Sequence, residues 1–190
     1  LENIKKQGHG SVLEHANYSL LLEGVSRSLT HELVRHRAGF AYSQLSQRYV
    51  DESEASFVVP PAIAGDAVLE AQWRDQIEGA QAAYVALVAQ LMERYGWVAD
   101  RVHRRKMARE AARGVLPNST ETKIVVTANA RAWRTMLELR SSEGAELEIR
   151  RAAVLMLRVL GNEAPAFFSD FEIYEAEDRR EAARIAYHKG

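Results

Sequence analysis

Between Ser26 and Tyr49 (SRSLTHELVRHRAGFAYSQLSQRY) the chain gathers four arginines (Arg27, Arg35, Arg37, Arg48), two histidines (His31, His36) and one carboxylate, Glu32. Guanidinium groups are planar, permanently charged and able to grip carboxylates or phosphates through paired N–H donors. With one acid to neutralise them, these residues read as an anion site and not as a solvated ion-pair face. Arg35 and Arg48, joined by polar side chains from neighbouring elements, could converge on a phosphate. Two other chemistries fail on spacing. In HELVRH the second histidine stands five residues on, about 140° round a helix from His31, so the two cannot share a metal as an i, i+4 pair does. Ser46 and His36 suggest a hydrolase, but no G-x-S-x-G elbow surrounds the serine.

Composition narrows the class. The chain has 190 residues, 47% hydrophobic and 27% charged, as expected of an ordinary globular domain. Its net charge is −1, which gives no global basic field for nucleic acid, so anion binding must be local. No apolar run approaches the roughly 20 residues of a membrane span. Leu1–Gly10 lacks the apolar core of a signal peptide, and a cytoplasmic protein is expected. The absence of cysteine excludes a thiolate nucleophile or thiolate metal site. Neither a Walker loop nor G-x-G-x-x-G is present, so a phosphate is not held in either of those ways. The residues alone reach an arginine-rich anion site suited to a nucleotide.

The elements that must position these groups read as follows. Leu1–Gly8 is the end of a helix, and Ser11 with Glu14 makes a capping box. Asn17–Gly24 is a strand and Ser26–His36 a helix broken by Gly39. On that helix Glu32 and Arg35 share a face. Ala41–Val50 alternates, predicting an extended segment that presents Gln44, Ser46 and Arg48 side by side. Phe57–Pro61 is a short strand, Asp66–Tyr95 a long amphipathic helix, and Ala99–Gly114 a basic helix ending at Arg113. Thr120–Ala128 is a β-branched strand, followed by helices Ala130–Ser141 and Ala145–Gly161. Phe167–Tyr174 is a closing strand or loop, and Glu175–His188 a charged surface helix or tail.

Arg35-His36-Arg37 followed by Ser43-Gln44-Leu45-Ser46-Gln47-Arg48-Tyr49 resembles the signature of flavin-dependent thymidylate synthases. GHGSVLEHA (8–16), SRSLTHELVRHR (26–37), AARGVLPNSTETKIVVTANARAWR (111–134) and LRSSEGAELEIRRAA (139–153) resemble successive blocks of that family, especially its actinobacterial members. The resemblance implies an α/β (α+β) fold, a single domain whose twisted antiparallel sheet is flanked by helices, and a family N-terminal portion preceding Leu1. It implies a homotetramer with active sites where subunits meet. FAD is the implied cofactor, NADPH the reductant and methylenetetrahydrofolate the one-carbon donor for methylation of dUMP at C5. No nucleic acid or membrane partner is implied.

By the same resemblance, Ser11, Arg35, His36, Arg37, Gln44, the turn Asn129-Ala130-Arg131 and Thr135 would bind flavin. Glu32, Leu33, Val34, Arg35 and Gln44 would border the nucleotide. Leu45, Ser46, Gln47 and Arg48 would line its phosphate and sugar. Arg113 would reach the nucleotide from another subunit, and Arg140 would favour the ionised N3 of the uracil. The sequence also departs from the family pattern. Ala38–Leu45 places eight residues between Arg-His-Arg and the serine, where seven are usual. Thr135 and Gly144 stand where histidines are common. A relative methylating UMP is therefore the alternative, and an NADPH oxidase or a nucleotide-binding module are further ones.

Overall fold

The computed structural model describes residues 1–188. In chain order it contains α1 (Glu2–Gln7), a 3-10 turn (Gly10–His15), β1 (Asn17–Ser26), α2 (Arg27–Leu33) and β2 (Phe40–Gln44). Then come α3 (Ala67–Arg94), α4 (Arg101–Ala112), a second 3-10 turn (Arg113–Val115), β3 (Glu121–Asn129) and α5 (Ala130–Arg140). The chain closes with α6 (Leu147–Glu163), α7 (Pro165–Phe168), β4 (Phe171–Glu175) and β5 (Glu181–Ile185). This is the expected α/β class, with an antiparallel sheet flanked by helices. One sheet has the order β1-β3-β2, and β4 and β5 form a separate antiparallel pair. No described helix is long and apolar enough to cross a membrane.

The chain packs as two compact units. The first holds Leu1–Leu22, Leu29–Ser43 and the chain from Ile124 on. Its core is built by β3, whose Ile124, Val126 and Ala128 alternate inward, and by α5, which buries Trp133, Met136 and Leu137. Leu13, Leu33, Ile149 and Phe168 complete it. Arg134 enters this core from α5 and donates to both Asp170 oxygens, at 2.6 and 2.7 Å, while Lys5 reaches the same carboxylate at 2.8 Å.

The second unit holds Glu23–Ser28 and Gln44–Lys123. Asp66 caps α3 by accepting from the Val68 and Leu69 N–H groups, and Asp100 caps α4 through Val102. Tyr84 is the buried anchor of α3. Arg109 of α4 donates to the Tyr49 carbonyl at 2.8 Å and to Asp51 at 2.5 Å, which ties the segment after β2 to this helix.

Four local expectations are corrected. Ser11 does not cap a helix: His9 stands at the cap of the 3-10 turn without a side-chain bond, and Glu14 pairs with Arg131 instead. The extended segment ends at Gln44, not Val50. Ser46 turns the chain, its carbonyl accepting from the Tyr49 and Val50 N–H groups and its hydroxyl from that of Arg48. Phe57–Pro61 shrinks to a bridge between Phe57 and Thr120, because the prolines have no N–H to donate to a ladder. Glu181–Ile185 is a strand and not a helix: Ala182, Ala183 and Ile185 bury themselves, and the Ala183 N–H bonds to the Ser141 carbonyl. That burial outweighs the helical preference of alanine and arginine.

Candidate active site

The Arg-His-Arg turn is held in shape by one tyrosine. α2 stops at Leu33, and the chain must turn back into β2 within a few residues. The single hydroxyl proton of Tyr42 in β2 is shared between the Leu33 carbonyl at 2.9 Å and the His36 carbonyl at 2.6 Å. The Leu33 carbonyl also accepts from the His36 N–H at 3.1 Å, so the tyrosine reinforces the turn that follows the helix. Burial pushes the Tyr42 phenol up to about 12, so it remains a donor at any working pH. Gly39 makes the return possible: its φ is 77°, and a Cβ there would sit 2.9 Å from both the Ala132 Cβ and the Asn129 Nδ2. The turn lies directly against the start of α5, where Asn129 caps the helix by accepting from the Ala132 N–H at 2.9 Å.

This packing leaves an open cleft of about 650 Å³. His36, Arg37, Gly39 and Phe40 line it together with Asn129, Arg131, Ala132 and Thr135. Glu14 also lines it and pairs with Arg131 at 2.6 Å. Among the described residues Arg37 has no carboxylate partner. The N-terminus of an 11-residue helix adds partial positive charge. The cleft therefore suits an anionic ligand.

Beside it, the last residue of α5 meets the end of α2. Arg140 donates to Glu32 Oε2 at 2.7 Å through NH1 and to His36 Nε2 at 2.9 Å through Nε. The sequence suggested that Glu32 would share a face with Arg35. Its ionic partner is instead Arg140, 108 residues away, and the Arg35 guanidinium has no hydrogen bond or ion pair among the described residues. Burial pushes the His36 imidazole below its usual range, and the Arg140 charge pushes it further the same way.

In the second unit a different arginine group forms. Arg27 donates to the Leu45 carbonyl at 2.9 Å. Burial lowers its pKa; Glu52 opposes that and nearby Arg113 adds to it. Arg48 pairs with Glu110 at 2.7 Å, yet its Nε is buried with no hydrogen-bond partner among the described residues. Gln47 is buried, and its Nε2 has no hydrogen-bond partner among the described residues. The nearby Glu52 carboxyl is raised by burial although Arg27, Gln47 and Arg109 pull it down. Gln44 donates to the Thr122 hydroxyl at 3.4 Å, and Ser46 serves the turn described above. Arg113 is exposed and makes no side-chain hydrogen bond or ion pair among the described residues.

The family described as thymidylate synthase complementing protein matches residues 1–166. The chain belongs to this family. The flavin-dependent thymidylate synthase of Mycobacterium sp. (strain JLS) is 53% identical over 187 residues, covering 96% of this chain and 73% of its own length. Those of Mycobacteroides abscessus and Mycobacterium tuberculosis are each 50% identical over 183 residues with the same coverage. The resemblance to flavin-dependent thymidylate synthases, especially actinobacterial ones, is borne out by these relatives.

Within this member of the family, the expected site residues divide. His36, Arg37, Asn129, Arg131 and Thr135 line one cleft, and Glu32 and Arg140 join through His36. Leu33 is buried and offers its carbonyl to Tyr42 rather than a side chain to a ligand, and Ala130 is buried at the start of α5. Val34 and Ser11 are exposed, and Ser11 does not line the cleft. Leu45 is tied through its backbone, donating to the Lys123 carbonyl and accepting from Arg27. Sequence reasoning missed Glu14, Phe40 and Ala132 in the cleft, the Tyr42 staple and buried Glu52. It saw Gly39 only as a breaker. The shortage of acids near the arginines was the available signal for Glu52.

Proposed function

We propose that the chain methylates C5 of dUMP to give dTMP, with methylenetetrahydrofolate as one-carbon donor, NADPH as reductant and FAD bound in the cleft. The observation that carries this reading is Arg140. A guanidinium brought from the far end of α5 to the Arg-His-Arg turn shares His36 with an anion-suited cleft.

The residues of the cleft fit a flavin dinucleotide. Its size is in the range of a cofactor site, and Arg37, Arg131 and the α5 N-terminus offer positive charge for a pyrophosphate. When bound, FAD supplies the redox step that carries electrons from NADPH to the transferred carbon. The chain's own residues do the rest. Arg140 stabilises negative charge on the uracil ring as C5 becomes nucleophilic. Arg27 and Arg48 of the second unit offer donors for a phosphate, with the buried Arg48 Nε as an unspent one, and Arg113 reaches the nucleotide from another subunit. No enzyme nucleophile is needed, in keeping with a chain that lacks cysteine.

The active protein is a cytoplasmic homotetramer in this reading. α3 runs for 28 residues but buries only Ile77 and Tyr84, while Val68, Leu69 and Val85 are exposed, as expected of a face that covers a second copy. dUMP is favoured over UMP because the relatives at 50–53% identity are thymidylate synthases. The test is tritium release from C5-labelled dUMP and UMP with methylenetetrahydrofolate and NADPH. Release from dUMP is expected. Equal release from UMP would establish the relaxed methylase, and release from neither would end the reading.

A further inference from the structure

The Arg140 guanidinium has a partner of unusual kind: one of its donors is spent on a histidine nitrogen and not on a carboxylate. An Nε–H of arginine always donates. His36 Nε2 must therefore be the bare, accepting nitrogen, and a neutral ring with a bare Nε2 carries its proton on Nδ1. The contact fixes both the charge and the tautomer of His36.

We propose that His36 is a positioning residue for Arg140: the neutral Nδ1–H ring accepts from Arg140 Nε and, with Glu32, sets the guanidinium in place for the nucleotide base. This deepens the assignment of Arg140 under the proposed function and rests on it. Glu32 alone holds one NH1 donor at 2.7 Å, with a weak 3.4 Å contact from NH2 to its backbone carbonyl. One strong bond leaves a guanidinium free to pivot, and the second bond, on Nε, removes that freedom. Because His36 also lines the cleft, the same ring touches the cofactor's place and the base-binding arginine. A group in the cleft can thereby influence where Arg140 points.

The charges around the ring agree. Arg140 faces it from α5 and Glu32 pairs with that arginine from α2. Tyr42 of β2 bonds to its carbonyl, Phe40 lies 6.2 Å from the ring centre, and Arg37, Arg131 and Glu14 line the same cleft. Burial and the Arg140 cation both favour the neutral ring. Protonation would convert the acceptor into a donor facing a donor. The sign follows: His36 is neutral above its lowered pKa, and positioning is lost as pH falls through that value, below the usual ~6.5.

The test compares wild type with His36→Ala and His36→Gln at saturating FAD, NADPH, donor and nucleotide, from pH 5 to 8.5. Flavin uptake is followed by absorbance. His36→Ala is expected to lower kcat about 10²-fold, the usual scale for a misplaced catalytic group. Gln keeps an acceptor near the position of Nε2 but cannot protonate. It is expected to recover at least about tenfold over Ala, and to lack the decline of kcat on the acid side that wild type shows. Imidazole 15N shifts at pH 7.5 give a readout independent of turnover, with His36 assigned by difference against His36→Gln. A neutral Nδ1–H ring supports the proposal; an imidazolium or an Nε2–H ring overturns it. A Gln variant that takes up flavin but is no more active than Ala overturns it too, as does an acid-side decline that persists in Gln. If the Ala variant fails to take up flavin, the pH profile of Gln against wild type decides. Wild type that releases no tritium ends the proposed function, and the 15N shifts then decide the His36–Arg140 contact on their own.

Discussion

Two arginines of α5, six residues apart, contrast a core ion cluster at mid-helix with a candidate site group at the helix end. Arg134 and its partner Asp170 have side chains 2% and 5% exposed. The guanidinium grips both carboxylate oxygens and also donates to the Phe167 and Tyr187 carbonyls. Lys5 adds a second cation to the same acid. Arg140 and Glu32 are 21% and 26% exposed, joined by one strong bond, and the third member is a histidine. The first arginine is dry and bonded through both terminal nitrogens, while its buried Nε has no hydrogen-bond partner among the described residues. The second is held in direction, with N–H groups left over for a ligand. Bidentate pairing and desolvation suit a structural ion cluster, while a single strong ion-pair bond at partial exposure suits a group that must exchange partners.

That contrast predicts opposite phenotypes. Asp170→Asn leaves two buried cations around a neutral group and should destabilise by about 3–5 kcal/mol in denaturant unfolding. A loss below about 1 kcal/mol would mean that the cluster is not the structural centre described. Burial alone would push the Asp170 carboxyl up, but Arg134 and Lys5 hold it below the usual range. Its contribution is present above the unfolded value of ~3.9 and is lost as pH falls through the lower folded one, so acid unfolding should begin at higher pH in the variant. Arg140→Ala should instead lower kcat by about 10²–10³-fold. Stability should change by about 1 kcal/mol or less, because the pair is partly solvated. Equal loss of stability in both variants would erase the distinction.

The sequence revealed the second arginine more readily than the first. The blocks around Arg35-His36-Arg37 and Arg140 carry a family signature, so their residue types could be read before any geometry. Arg134 lies inside a quoted block without a role of its own, and its partners Lys5 and Asp170 lie outside the motifs. Only burial marks this trio as a unit. Elements with clear periodicity, such as α3, α6 and β3, were legible because each is defined by its own repeat. The strand β5 was not, since its alanines become strand-like only when β4 and the Ser141 carbonyl receive them. The turn at Ser46 was hidden by an alternating pattern that side-chain bonding to the backbone overrode.

Gly39 tests whether the turn that carries His36 is as fixed as the contrast requires. A methyl group there meets Ala132 and Asn129 at 2.9 Å and must also adopt φ 77°. Gly39→Ala should cost about 1–2 kcal/mol of stability. It should weaken FAD binding in equilibrium titration about tenfold more than nucleotide binding, since the contacts it disturbs belong to the cleft. Equal weakening of both ligands would show that the turn positions the nucleotide arginines as well.

The smallest effect concerns the buried acid of the second unit. Glu52 stands among Arg27, Gln47 and Arg109, yet burial still leaves its carboxyl above the usual range. For an acid with a raised folded pKa, stability is greatest below the unfolded value of ~4.3 and is lost as pH rises through the folded one. At neutral pH the ionised Glu52 therefore costs the fold something, whereas Asp170 supports it. Glu52→Gln should raise stability at pH 7 by about 1 kcal/mol or less, with the gain vanishing near pH 4. The same change removes the carboxylate that offsets Arg27 and should alter the phosphate affinity of the arginine group. Thermal unfolding at the two pH values, with dUMP titration beside it, checks both. A variant less stable at pH 7 would show that pairing with Arg27 outweighs desolvation, so that Glu52 supports the fold as Asp170 does.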